Sequence, residues 1–168
     1  RRGAISGVKS AFEDLNNFKV SGRIIALVGG ISVKKDNDWT KEAHKELANL
    51  INKSNIDVLY TTGNFMDYVH KDLKSPDILK GHEDDIDKLA NTLYSEIKGG
   101  DLLFIIGSAY LYLGRVSDKL LKMKDTDTFD YSINNYMLDS KDIEQYKALQ
   151  VFSKIKNNSI RRNAFIEN

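Results

Sequence analysis

Three short apolar runs in this chain each stop at glycine. Ile24-Ile25-Ala26-Leu27-Val28 runs into Gly29-Gly30, Val58-Leu59-Tyr60-Thr61-Thr62 into Gly63, and Leu102-Leu103-Phe104-Ile105-Ile106 into Gly107-Ser108. A run of apolar or β-branched residues without polar alternation fits a strand covered on both faces. Glycine then permits a tight turn at the strand's carboxyl end. Open α/β sheets place ligands at that end. The runs therefore predict a parallel sheet with a binding edge at Gly29, Gly30, Thr62, Gly63, Gly107 and Ser108.

The segments between the runs have helical length and periodicity. Val8, Ala11, Phe12 and Leu15 form one apolar stripe ahead of the first strand, at about Arg23 to Val28. Thr40 is a candidate cap for a helix burying Ala43, Leu47, Leu50 and Ile51, and Asn55 is its expected end. Phe65, Met66, Tyr68 and Val69 suggest a short helix closed by Ser75-Pro76, with Ile78-Leu79 as a short strand. Glu83 to Ile97 is the strongest helix pattern, its acids crowding the first turn, and Gly99-Gly100 ends it. The alternation predicts an α/β fold with a doubly wound, mostly parallel, Rossmann-like sheet and right-handed crossovers. Residues 1–123 form this domain, and 124–168 are expected as an appended segment with one helix, bearing Ala148, Val151, Phe152 and Ile155, and a polar tail.

At 168 residues the chain suits one domain with an appendage. A net charge of +1, with charges dispersed along the chain, gives no reason to expect nucleic acid or a membrane surface as partner. Cysteine is absent, which excludes disulfides, thiolate metal sites and cysteine nucleophiles and fits a reducing, cytoplasmic location. No apolar run approaches the roughly 20 residues of a membrane span, and no apolar signal segment opens the chain. The first residue, Arg1, is not methionine, so a fragment of a longer polypeptide is expected.

The Gly29-Gly30 turn could cradle a phosphate on its backbone N–H groups. Neither G-x-G-x-x-G nor G-x-x-x-x-G-K-[ST] follows, so a tight turn is the better reading. His44 lacks a second histidine at helical spacing and an evident nucleophile, which favours a structural or supporting duty. His70 and His82 are expected to be isolated in polar loops or helix ends. No G-x-S-x-G surrounds Ser108. Asp84, Asp85 and Asp87 lack the glycine and final glutamate of a calcium loop and suit a helix amino terminus. Tyr110, Tyr112, Phe129, Tyr131 and Tyr136 are expected to join the appended segment to the domain. The residues alone indicate a binding domain with no catalytic residue and no metal ligand of its own.

A further pattern lies in the order of segments. Arg23-Ile24-Ile25-Ala26-Leu27-Val28-Gly29 leads through a polar loop to His44-Lys45-Glu46-Leu47, and Asp57-Val58-Leu59-Tyr60-Thr61-Thr62-Gly63 follows. Gly100-Asp101 then opens the third strand, Gly107-Ser108 closes it, and Arg115-Val116 comes shortly after. Over about residues 4 to 121 this order resembles the carboxyl-terminal domain of the Mur ligases, closest to the enzymes that add D-alanyl-D-alanine to the UDP-N-acetylmuramoyl tripeptide. The resemblance implies one domain of an ATP-dependent amide ligase of cell-wall precursor synthesis. In that family the amino-terminal domain holds the UDP-sugar, and a central P-loop domain binds ATP and magnesium. The carboxyl-terminal domain closes over the site with the incoming amino acid or dipeptide. By this resemblance Gly29, Gly30, His44, Thr62, Gly63, Gly107, Ser108 and Arg115 face substrate or nucleotide. The implied partners are the central and amino-terminal domains of the same polypeptide and a small-molecule substrate. ATP and magnesium belong to the full-length enzyme, and the isolated domain binds no cofactor and catalyses nothing.

Departures from the family pattern are specific. Gly30 stands where the family has aspartate, Val33 where it has glutamate, Ile106 for lysine and Ala109 for arginine. The family's nucleotide-contacting asparagine-proline loop would fall near Ala4-Ile5-Ser6 and is not recognisable. Losing a charged or hydrogen-bonding contact forfeits about 1.5–3 kcal/mol. These losses motivate an alternative, a diverged non-catalytic binding or scaffolding module with the tail from Lys122 as partner surface. A free-standing flavodoxin-like nucleotide binder follows from fold analogy alone.

Overall fold

The computed structural model of the chain describes residues 2–31 and 35–126. The first apolar run becomes β1 (Ile24–Gly29), flanked by β2 (Val58–Thr62) and β4 (Leu102–Ile106), with β3 (Leu79–His82) outside β2. All three pairings are parallel and the order is β3-β2-β1-β4. Strands β1 and β2 are buried at every position, as runs without polar alternation require. Strand β4 lies at the sheet's edge and is half-buried along its length.

The chain steps outward from β1 through β2 to β3, then crosses back to β4 on the other side of β1. With right-handed crossovers, that reversal sends the connecting helices to opposite faces. On one face α1 (Arg2–Asn17), α2 (Asp38–Asn52) and α3 (Asp67–Lys71) pack Phe12, Leu47, Ile51 and Val69 against Ala26, Val28 and Leu59. On the other, α4 (Ile86–Glu96) and α5 (Gly114–Thr126) pack Leu89, Leu93, Val116 and Leu120 against Ile25, Leu27 and Tyr60. Alternate residues of β1 feed alternate cores, so the predicted doubly wound α/β architecture is the observed one. The chain reverses direction across the sheet between β1 and β4, whose carboxyl ends border the topological switch point.

Several boundaries differ from the sequence reading. Asn37, not Thr40, caps α2: its backbone is extended and its side chain accepts the Thr40 N–H at 2.9 Å. Thr40 lies inside the first turn and donates its hydroxyl to the Lys35 carbonyl at 2.6 Å. The cap of α4 is Asp85, so Glu83 and Asp84 stay outside that helix. Helix α3 ends at Lys71, before Ser75-Pro76, and Pro76 instead opens a 3-10 turn running into β3. Proline suits that first position, where its missing N–H has no partner to lose. Helix α5 runs to Thr126, and the expected appended helix and tail lie outside the described residues.

The amino-terminal edge of the sheet is tied by ions. The Arg23 guanidinium meets Glu96 at 2.6 Å and the buried Asp101 at 2.8 Å, and Asp101 also accepts the N–H groups of Arg23 and Lys98. Burial alone would raise the Asp101 carboxyl, but these hydrogen bonds hold it below the usual carboxylate range. The carboxyl-terminal edge is built from glycine instead.

Candidate functional site

At the carboxyl edge the ends of β1, β2 and β4 are laced by backbone hydrogen bonds. Gly30 donates its N–H to Thr62 O at 2.9 Å, and Ser108 donates to Gly30 O at 3.3 Å. The strands approach so closely that a Cβ on Gly107 would lie 2.9 Å from Gly29 Cα and 3.1 Å from Gly29 N. The other glycines are covered by one side chain. A Cβ on Gly29 would sit 2.5 Å from Leu111 Cδ1, and one on Gly63 3.0 Å from Leu111 Cδ2. The 3-10 turn Ala109–Leu111 after β4 therefore folds Leu111 onto the strand ends. Glycine is needed here for close packing as well as for turning, and Gly63 also has φ +87°.

The amides of this edge are engaged by the protein itself. Gly30 N–H goes to Thr62, Ile31 N–H to His44 Nε2 at 3.4 Å, and Gly63 N–H to the Asp84 carboxylate at 2.6 Å. Asp84 also accepts the Thr62 hydroxyl at 3.2 Å. At Gly63 a carboxylate occupies the acceptor position that a phosphate would need, and its charge repels an anion. The phosphate-cradle reading of Gly29-Gly30 thus gives way to the tight-turn reading.

His44 is fully buried on α2. Its Nδ1 lies 2.7 Å from Thr40 O, which requires Nδ1–H as donor and leaves Nε2 as acceptor for Ile31. Burial pushes its pKa down, more than the Thr40 hydrogen bond raises it, so the ring is neutral. Phe65 packs against it edge-on at 6.2 Å between centroids, in a left-handed backbone conformation (φ +66°). The expected supporting duty is therefore concrete: His44 fixes the backbone where the chain leaves β1.

His70 and His82, expected to be isolated, converge on one hydroxyl. His70 Nε2 and His82 Nδ1 lie 2.9 and 3.0 Å from Thr61 Oγ1, with ring centroids 5.8 Å apart. The parallel register sets His82 beside Thr61, and α3 brings His70 over the same face. Nearby, Tyr68 donates its hydroxyl to Asp36.

Beyond β4, Ser108 caps the 3-10 turn through a 3.4 Å contact with Tyr110 N. Arg115, at the start of α5, is exposed and holds its guanidinium 5.2 Å from the Tyr112 ring centroid. Tyr110 and Tyr112 are 63% and 62% exposed, while Phe129, Tyr131 and Tyr136 lie outside the described residues, as does Val33. Ile106 is half-buried against the core, Ala109 is exposed, and Ile5 and Ser6 belong to α1. Seven of the eight residues singled out from the sequence, Gly29, Gly30, His44, Thr62, Gly63, Gly107 and Ser108, meet at one edge. Arg115 flanks them. Among the described residues no three His, Asp or Glu side chains group as metal ligands, and no helix is long and apolar enough to cross a membrane.

A search of solved structures finds a MurF ligase from Thermotoga maritima, crystallised in complex with ADP, with a TM-score of 0.57 and 23% identity over 73% of this chain. The chain has the fold of part of a Mur ligase. It spans 26% of the length of that MurF chain. No protein-family model matches the sequence, and no curated protein matches it.

Proposed function

We propose that the chain is the carboxyl-terminal domain of a Mur-type amide ligase, closest to the D-alanyl-D-alanine-adding enzymes, and that its carboxyl edge closes over the substrates. The observation that carries this reading is the fold likeness itself, which takes in most of this chain and about a quarter of a MurF ligase. Gly29-Gly30 and Gly107 lie at the ends of β1 and β4, which border the switch point where sheets of this class receive ligands.

The edge suits the acceptor side of an amide ligation. Its amides are already engaged, so the triphosphate and magnesium belong to another domain of the polypeptide, while the Asp84 carboxylate suits an incoming amine. Arg115, exposed and held over the Tyr112 ring, offers a cation for a carboxylate or phosphate of the substrates. His44 acts through Ile31, holding the β1 turn in place.

A second reading has one observation in its favour. Ile106 is half-buried against the core and Ala109 is small, at positions where the resemblance implies two cations, as a non-catalytic module descended from such a domain would have. The discriminating experiment uses the whole polypeptide that carries this chain, with ATP, magnesium, a UDP-muramoyl peptide and a panel of amino-acid and dipeptide acceptors. Release of ADP together with amide product supports the ligase, and absence of turnover with every acceptor sinks it. An intact G-x-x-x-x-G-K-[ST] upstream favours the ligase, and a broken one the module.

A further inference from the structure

The histidine pair on Thr61 is used by neither reading, and its geometry limits how many protons it can hold. Thr61 is fully buried, and its hydroxyl has one proton to give and lone pairs to receive. With both imidazoles neutral the chain of bonds closes: Thr61 donates to one ring nitrogen and accepts N–H from the other. One added proton is also accommodated. His82 Nε2 lies 3.5 Å from Asp84 Oδ1, so an imidazolium there keeps its bond to Thr61 and gains an ion pair. A second proton has no comparable place. Both nitrogens facing Thr61 would then carry hydrogen, the buried hydroxyl proton would lose both acceptors, and two cations would stand 5.8 Å apart.

Among the described residues the charged groups that meet the pair are Asp67 on α3, 3.8 Å from His70 Nδ1, and Asp84 after β3, both largely exposed. Strand β2 contributes the Thr61 hydroxyl. Solvent screens both carboxylates, Asp67 the more, so neither offsets much of a second charge. The strand that these contacts fasten is the weakest of the sheet. β3 has four residues, lies at the edge, alternates half-buried with exposed positions, and its register to β2 shifts between Leu59 and Tyr60.

We propose that Thr61, His70 and His82 form a pH-sensitive latch on strand β3, closed with zero or one added proton and opened by the second. Burial and the neighbouring His82 both hold the His70 pKa down, against a smaller opposing pull from Asp67, so the second proton is resisted at His70. Opening frees β3 and loosens the Asp84 anchor of the Gly63 turn, so acidification reaches the carboxyl edge of the sheet. The latch stands whether or not the ligase reading does.

The chain has three histidines, which allows ring titration by NMR with single variants for assignment. In His82→Gln the His70 midpoint is expected to rise by about half a pH unit or more as the neighbouring imidazole charge is lost. Hydrogen exchange at the β3 amides, corrected for the intrinsic pH dependence, accelerates roughly tenfold between about pH 7.5 and 5 in the unaltered chain and far less in His82→Gln. Thr61→Ser, which keeps the hydroxyl, retains the acid step, and Thr61→Val lacks it. The His44 ring, read in the same spectra, separates any opening at β1 from opening at β3. A His70 midpoint indifferent to His82→Gln, or β3 protection unchanged by acid, overturns the proposal.

Discussion

Gly107→Ala probes the close approach of β1 and β4 directly. The added Cβ would stand 2.9 Å from Gly29 Cα, 3.1 Å from Gly29 N and 2.9 Å from Leu113 Cδ1. Leu113 can turn a methyl aside. Gly29 cannot yield without moving the end of the central strand, whose pairing next to this point joins Val28 to Ile106. Overpacking costs about 1–3 kcal/mol, and a backbone obstacle puts this case in the upper half, about 2–3 kcal/mol. With a urea slope of about 2 kcal/mol/M the unfolding midpoint falls by about 1–1.5 M. Gly7→Ala is the control. Gly7 sits exposed in α1 with nothing within 4 Å of its added Cβ, so the same change there stabilises by about 0.5–1 kcal/mol. Circular dichroism during urea unfolding measures both, and a Gly107→Ala midpoint equal to or above the unaltered chain's would refute the packing argument.

Asn37→Ala removes the α2 cap and is expected to cost about 1 kcal/mol in the same assay, whereas Thr40→Val leaves the cap itself in place. Asp84→Ala strips the acceptor from Gly63 N–H and a negative charge from the edge; about 1.5–3 kcal/mol of stability is lost, and inorganic phosphate, inert toward the unaltered chain in a calorimetric titration, protects the variant against unfolding. His44 and His70 are both held below their ordinary pKa, so the unfolded chain binds more protons than the folded one at mildly acidic pH. Their contribution is full above about pH 6.5 and is lost as pH falls from there toward their folded values. Thermal melting at a series of pH values checks this, and a flat profile between about pH 7 and 5 would contradict it.

The sheet was legible because its evidence is local. Each long strand is one uninterrupted run, and the helical stripes around it mark which face each helix buries. The caps were less legible: Asn37 and Thr40 are both capping residues, and only the backbone decides, extended at Asn37 and helical at Thr40. Asp84 resembled a helix acid because it precedes Asp85, yet the turn after β2 claims it through Gly63 N–H. Nothing local announces the meeting of Thr61, His70 and His82, which needs the β2–β3 register and the docking of α3 together. The glycines signalled turns correctly. Their second role, receiving Leu111, depends on a 3-10 turn almost fifty residues after Gly63 in the chain.

The most direct measurement of the central claim is hydrogen exchange on the whole polypeptide carrying this chain, with and without ATP, magnesium, UDP-muramoyl tripeptide and D-alanyl-D-alanine. Substrate-dependent protection is expected at Gly30, Ile31, Gly63 and Ser108 and along the turn to Arg115, with no change around Arg23, Glu96 and Asp101 at the opposite edge. Unchanged exchange at the carboxyl edge, or protection confined to the Arg23 edge, would contradict a closing domain that meets its substrates at the switch point.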